Sequence, residues 1–321
     1  MNRKVASWLK TQFQRHSQSR SKISSAERNL SEILLQASAA INASKAARNT
    51  YKYLWDSEVR VFSQWGEDGI LDYLFDITDI SKPRILEFGA GNFTECNSRF
   101  TAEYRNASAY LVDMRDDLVE HTKQLEIYWR NSIFPNQDFI TPESAQQHLQ
   151  KARQHMGGVD VISLDIDGND YWVLEALDLS EVSIVVCEYN PIYGATGSYT
   201  VKRDDNFDRT KAHFSWLHYG MSLKAAIDLL SNQGLVFIGS NRVGNNAFFL
   251  KDSHLKHIPF PIPNHQKLDS FVDWRVRESR DENGCLSYLS LQEAREILCD
   301  LEVINLQTEK TIKIISILEK D

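Results

Sequence analysis

Between Arg84 and Leu250 the sequence alternates short, almost unbroken apolar runs with longer stretches of helical length or spacing. That alternation is the strongest constraint on the fold, because near-continuous apolarity marks strands buried on both faces, and helices must then cover those faces. The expected strands are Arg84 to Phe88, Ala109 to Val112, Val161 to Leu164, Ile184 to Cys187, Leu235 to Ile238 and Ala247 to Leu250. Helices are expected over Thr94 to Tyr104, Pro142 to His155, Tyr171 to Leu177 and Ser222 to Ser231. Repeated βα units of this kind predict a twisted parallel sheet whose carboxyl strand ends hold a ligand.

The first such strand runs into ILEFGAGN, Ile85 to Asn92. Its glycines, Gly89 and Gly91, permit a turn that comes close to a ligand and opens into a helix. The third glycine of a dinucleotide fingerprint is missing, since Thr94 stands in its place, which leans away from NAD. Asp113 ends the next strand, where a carboxylate can accept hydrogen bonds from ribose hydroxyls. An ordinary solvent-facing Asp is the competing explanation.

Two further strand ends are acidic. VISLDIDGND places Asp165, Asp167 and Asp170 after one strand, and VVCEYNP places Glu188 and Asn190 after the next. Crowded carboxylates indicate a cation, a polar substrate or a carboxyl with a raised pKa. Helix capping accounts for Asn169 or Asp170, and less well for Asp165. Asp165, Asp167, Glu188 and Asn190 are oxygen donors suited to Mg²⁺ or Ca²⁺, with Asp165, Glu188 and Asn190 the expected ligands.

Taken together, Glu87, Gly89 and Gly91 resemble motif I, and Asp113 the acidic motif II residue, of class I S-adenosylmethionine-dependent methyltransferases. The match spans roughly residues 60 to 250. It implies a Rossmann-like α/β fold in which the glycine turn accommodates the methionine portion of the cofactor and Asp113 holds its ribose. Asp138 resembles the polar residue that contacts adenine. LDIDGNDYWVLEAL, CEYNP and SQWGEDGIL (Ser63 to Leu71) resemble the FkbM-related bacterial methyltransferases, many of them in surface-polysaccharide pathways. Where many of those proteins have Asp-Val-Glu-Gly, this chain has Asp165, Ile166, Asp167 and Gly168. The resemblance implies O-methylation of a sugar or glycan hydroxyl, with Asp165, Asp167 or Glu188 as base or metal ligand. Asn190 and His218 complete the expected catalytic set, while Gln64 and Glu67 of SQWGEDGIL are expected cofactor contacts. His218, Tyr219 and the Ser240 to Asn246 loop are candidates for an acceptor pocket, although that loop also reads as a hairpin turn.

Composition narrows the partners. A formal net charge of -8 opposes nucleic-acid binding, which needs clustered Lys and Arg. Four scattered cysteines show no zinc spacing and are expected to be reduced, as in a cytoplasmic protein. No run approaches a membrane span, and no signal peptide is legible. The basic segment 1–22 carries Val5, Trp8, Leu9 and Phe13 at helical spacing, so contact with the inner face of a membrane and a frayed tail are the two readings. Leu30, Leu34, Ala37 and Ile41 mark a helical seam that either self-associates or packs on the main domain.

Three segments follow: a helical N-terminal extension over 1–50, the Rossmann-like domain over 51–252 and an appended region over 253–321. Within the last, Arg275, Arg277 and Arg280 suit either an anion or a solvated ion-pair network. Leu291 to Leu301 reads as a closing helix capped by Ser290 and Glu293. A non-catalytic cofactor-binding scaffold in a glycan-assembly complex and a dinucleotide-dependent oxidoreductase are the alternatives from other classes.

Overall fold

The computed structural model describes residues 51–270 and 278–318, together with Glu32, Leu35 and Gln36. The basic segment 1–22, the seam over 30–41 as a unit, Arg275 and Arg277 lie outside the described residues.

Among the described residues, ten strands and eight principal helices carry the architecture. In chain order they are α1 (Glu67–Thr78), β1 (Arg84–Phe88), α2 (Ser98–Arg105), β2 (Ser108–Asp113), α3 (Leu118–Gln124), α4 (Glu126–Arg130), β3 (Ile133–Gln137), α5 (Pro142–Met156), β4 (Val161–Leu164), α6 (Asp170–Ala176), β5 (Ile184–Glu188), β6 (Tyr199–Thr200), α7 (Leu223–Ser231), β7 (Leu235–Ser240), β8 (Asn246–Lys251), α8 (Leu291–Leu298), β9 (Glu302–Asn305) and β10 (Lys310–Lys313).

Seven strands form one sheet in the order β3-β2-β1-β4-β5-β8-β7. β3, β2, β1, β4 and β5 run parallel, whereas β8 is antiparallel to both β5 and β7. This is an α/β Rossmann-like fold with a reversed strand near one edge of its sheet. The expected parallel sheet is found in these five strands, and the β7–β8 pair adds a reversed edge. Its physical cause is the short connection between β7 and β8, which permits only a hairpin, since a parallel return needs a long crossover. The Asn/Gly loop 240–246 is therefore a hairpin turn.

The sheet is covered on both faces by alternating side chains. Leu86, Phe88, Ile162, Leu164 and Val185 pack with Leu149 of α5, Val173 of α6 and Leu230 of α7. Their neighbours Ile85, Val161, Ile184 and Val186 point the other way, onto Ile70, Leu71, Leu74 and Phe75 of α1. Period-2 alternation between two buried faces is what made these runs read as continuously apolar.

β6, β9 and β10 form a second sheet in the order β10-β9-β6, with β9 antiparallel to both neighbours. β6 lies in the connection between β5 and α7, so the C-terminal strands attach to the chain's middle. Ile192, Tyr193, Tyr199, Val201 and Leu217 from that connection share a core with Leu298 of α8 and Val303 of β9. At the start of α8 the Ser290 hydroxyl accepts from the Glu293 amide while the Glu293 carboxylate accepts from the Ser290 amide, the reciprocal cap expected from sequence. The helix stops at Leu298 and the chain becomes β9, earlier than the expected Leu301.

Among the described residues no helix is long and apolar enough to cross a membrane. All four cysteines are free thiols, with Cys96 and Cys187 buried.

Candidate active site

The carboxyl ends of β1, β2, β4 and β5 open into a cleft of about 870 Å³. Gln64, Glu67, Glu87, Gly89, Gly91, Asp113, Asp165, Asp167 and Glu188 all line it, so nine residues singled out from sequence converge there. Parallel strands bring their ends level, and in such sheets the crevice beyond those ends is the usual ligand site.

One wall is the turn after β1. Gly89 has φ +85°, and a Cβ on it would lie 1.6 Å from the carbonyl oxygen of Asp165, so only glycine lets β1 and β4 end side by side. Gly91 has φ +57°, and a Cβ there would meet nothing nearer than 3.9 Å. Its amide donates to Asp113 Oδ2 at 2.7 Å, while Asp113 Oδ1 accepts from the Arg115 amide at 2.9 Å. Burial raises the Asp113 pKa against these two amides. Glu87 is spent on structure: its carboxylate accepts from the amides of Asn97 (2.7 Å) and Ser98 (3.0 Å) and from the Ser98 hydroxyl, which ties the turn to the start of α2.

A second wall comes from SQWGEDGIL. Glu67 accepts from the Trp65 amide at 2.9 Å and from the side-chain amides of Asn241 (2.7 Å) and Asn246 (2.9 Å), clamping the start of α1 to the β7–β8 hairpin. Gln64 donates to Glu278 at 3.1 Å.

The floor is acidic. Asp165 follows β4 and Glu188 ends β5, and with Asp167 they bring carboxylate oxygens within 4.8 Å of one another. Burial first, then the Asp167 charge, pushes the Asp165 pKa well up; burial and then Asp165 do the same for Glu188. Asp170, the other acid of this motif, accepts from the amides of Ile166 (3.0 Å) and Gly168 (2.8 Å), so it shapes the turn.

Arg209 sits over this floor. It pairs with Asp167, reaches Glu278 at 3.2 Å, donates to the Trp216 carbonyl at 3.0 Å and stacks 4.2 Å from the Tyr219 ring centroid. Burial opposes its charge, but the surrounding carboxylates prevail and raise its pKa.

Three expected site residues are placed elsewhere. Asn190 is fully buried: its amide donates to the carbonyls of Leu217 (2.9 Å) and Tyr219 (3.0 Å), and its oxygen accepts from the Ile192 amide (3.1 Å). With its bonding capacity used, it is a structural cap, and Asp167 takes its place beside Asp165 and Glu188. His218 bonds the Tyr193 hydroxyl at 3.1 Å outside the cleft lining, and burial, then His213, lowers its pKa to about 4. Asp138 turns to His148 Nε2 at 2.9 Å, leaving its successors Phe139 and Ile140 to line the cleft. Arg280 donates to the Glu278 carbonyl at 2.9 Å and stacks on Trp216 at 4.5 Å.

Arg209, Glu278, Phe207, Trp216 and Asn97 also line the cleft and were not anticipated. Phe207, Trp216 and Glu278 lie in segments with no periodicity, and Arg209 opens a four-residue helix too short to show one. Asn97 alone had a legible signal, lying in the segment between the glycine turn and α2.

No protein-family profile matches this chain, and no curated protein sequence does. Among solved structures it is similar to EvdMO1, at 11% identity and TM-score 0.35, over 57% of this chain and 40% of that one. It is similar to an O-methyltransferase family 2 protein from Planctomyces limnophilus in complex with apigenin, at 11% identity and TM-score 0.32, over 55% of this chain and 56% of that one. It is similar also to PhzM, a pyocyanin biosynthetic protein, at 12% identity and TM-score 0.30, over 54% and 51%. The chain thus spans about half the length of these structures or less, and the likenesses are too slight to carry a role to any residue.

Proposed function

We propose that this chain is an S-adenosylmethionine-dependent O-methyltransferase that acts on a hydroxyl of a sugar, a surface glycan or its precursor. The observation that carries the reading is the Gly91–Asp113 bond, which shapes a glycine-lined recess directly beside a floor of strand-end carboxylates. Open space at the Gly91 Cβ position leaves room for a ligand chain against the backbone, and Asp113 retains lone pairs for ribose hydroxyls.

When bound, the cofactor's sulfonium supplies the methyl group, the S–C bond breaking as the new O–C bond forms. The protein's part is to hold and orient. Gly89 and Gly91 set the backbone wall, and Asp113 fixes the ribose end. Asp165 and Glu188 lie where an acceptor hydroxyl would lose its proton, and a carboxylate there promotes that loss. Phe207, Trp216 and Tyr219 line the same cleft, so aromatic carbon lies beside polar groups there, a combination suited to a sugar ring. The glycan acceptor also draws on the FkbM-like motifs.

Calorimetric titration with S-adenosylmethionine, S-adenosylhomocysteine and NADH tests the cofactor. Binding of the first two, weakened by Asp113→Ala and by Gly91→Asp, supports the reading and justifies an acceptor screen with glycans. Binding of NADH alone, or of none of the three, overturns it.

A further inference from the structure

Register brings Leu164 of β4 opposite Cys187 of β5, so the residues that follow, Asp165 and Glu188, stand side by side. With Asp167 they present three carboxylate oxygens within 4.8 Å. Glu188 is only 6% exposed, yet its Oε2 is buried without a hydrogen-bond partner. Among the described residues no hydrogen bond reaches the Asp165 carboxylate either. The guanidinium of Arg209 is shared between Asp167 and Glu278, so at least two negative charges of the trio stay uncompensated when all three acids are ionised.

A buried acceptor left unmet is costly, more so when charged, and a hard cation satisfies carboxylate oxygens directly. We propose that Asp165, Asp167 and Glu188 bind one hard divalent cation. Arg209 engages Oδ1 of Asp167, which leaves Oδ2 for the ion. Oxygens on opposite sides of Ca²⁺ stand about 5 Å apart, which a spacing within 4.8 Å admits, whereas the smaller Mg²⁺, at about 4 Å, needs the carboxylates drawn together. The remaining coordination positions face the cleft and take water or an acceptor hydroxyl, whose pKa the ion lowers. That use of the ion rests on the proposed methyl transfer; its binding does not.

The test is calorimetric titration of the EDTA-treated full chain with MgCl₂, MnCl₂ and CaCl₂, without cofactor, alongside Glu188→Gln, Asp165→Asn and the surface control Asp178→Asn. One-to-one binding of at least one ion is expected, weakened about 10–100-fold in both trio variants, as for losses around metal sites, and unchanged in the control. If either trio variant loses its circular dichroism signature, half-exposed Asp167→Asn replaces it and is expected to weaken binding at least tenfold. No heat from any ion at about 10 mM, well above the Kd of ordinary Ca²⁺ sites, overturns the inference. Binding equal in wild type and trio variants also overturns it. A parallel S-adenosylhomocysteine titration separates the two proposals: homocysteine-cofactor binding without cation binding sinks only this one, and the converse sinks only the methyl-transfer reading.

Discussion

The Gly91 amide and Asp113 Oδ2, 2.7 Å apart, join the turn after β1 to the end of β2 and so make one surface of two strand ends. Asp113→Ala removes the acceptor for this amide and for that of Arg115. Hydrogen bonds to a charged group contribute about 1.5–3 kcal/mol. We predict at least roughly tenfold weaker S-adenosylhomocysteine binding, since 1.4 kcal/mol is a factor of ten, with the folded state retained. Calorimetry and a thermal melt together check this; unchanged affinity would remove Asp113 from the cofactor site.

Gly89 and Gly91 share a left-handed backbone but differ in what surrounds them. Gly91→Ala pays only the conformational penalty, about 1–2 kcal/mol. Gly89→Ala adds a collision with the Asp165 carbonyl, because its Cβ would stand 1.6 Å from that oxygen. Urea unfolding should show Gly89→Ala as the more destabilised, by more than about 2 kcal/mol relative to wild type. Equal losses would mean that the ends of β1 and β4 separate easily.

Glu58 supplies a pH dependence. Burial, together with the neighbouring Glu67 charge, raises its pKa from 4.5 to about 7, although the Arg242 amide that it accepts opposes the shift. The folded state therefore holds this proton more tightly than the unfolded chain. Its stabilising contribution is complete below pH 4.5, and is lost as the pH rises to about 7. Glu58→Gln keeps an acceptor for the amide and carries no charge. Its urea midpoint should exceed that of wild type at pH 8, with the advantage shrinking by pH 5; an equal advantage at both pH values would contradict the assignment.

Asn190→Ala distinguishes a cap from a catalytic group. It strands two buried carbonyls and one amide, and a loss of about 2–4 kcal/mol in unfolding free energy is expected. Cation titration of the same variant, at a temperature where it remains folded, should match wild type. A selective loss of cation binding with normal stability would restore Asn190 to the donor set.

The central strands were legible because both of their faces are buried, so that Glu87 and Ser163 are the only polar residues within Ile85 to Phe88 and Val161 to Leu164. β3 was not. It lies at the sheet edge and contains Pro135, which reads against a strand although edge positions tolerate it. β6 has two residues, too few for any period, and β9 and β10 are half-polar. In the cleft, strand-end position found Glu87, Asp113, Asp165 and Glu188, since the chain sets where a strand stops. It did not reveal where a side chain spends its hydrogen bonds, which is why Asn190, Asp138 and His218 read as site residues. Arg209 and Glu278 meet only through tertiary packing, and neither carries a local signature.

The pairing of β6 with β9 gives the C-terminal segment a share in the cleft itself. Leu217 lines the cleft on one side and belongs on the other to the core built by Leu298 and Val303. Tyr219 and Arg209 flank it in the same connection, and the Arg295 guanidinium donates to the Ile192 carbonyl at 3.2 Å from the far side. A chain shortened before Leu291 would bare Tyr199, Val201 and Leu217 to water and unmoor the loop that presents Arg209. The segment thus works as a keystone: what lies furthest along the sequence holds in place the wall against which an acceptor would rest.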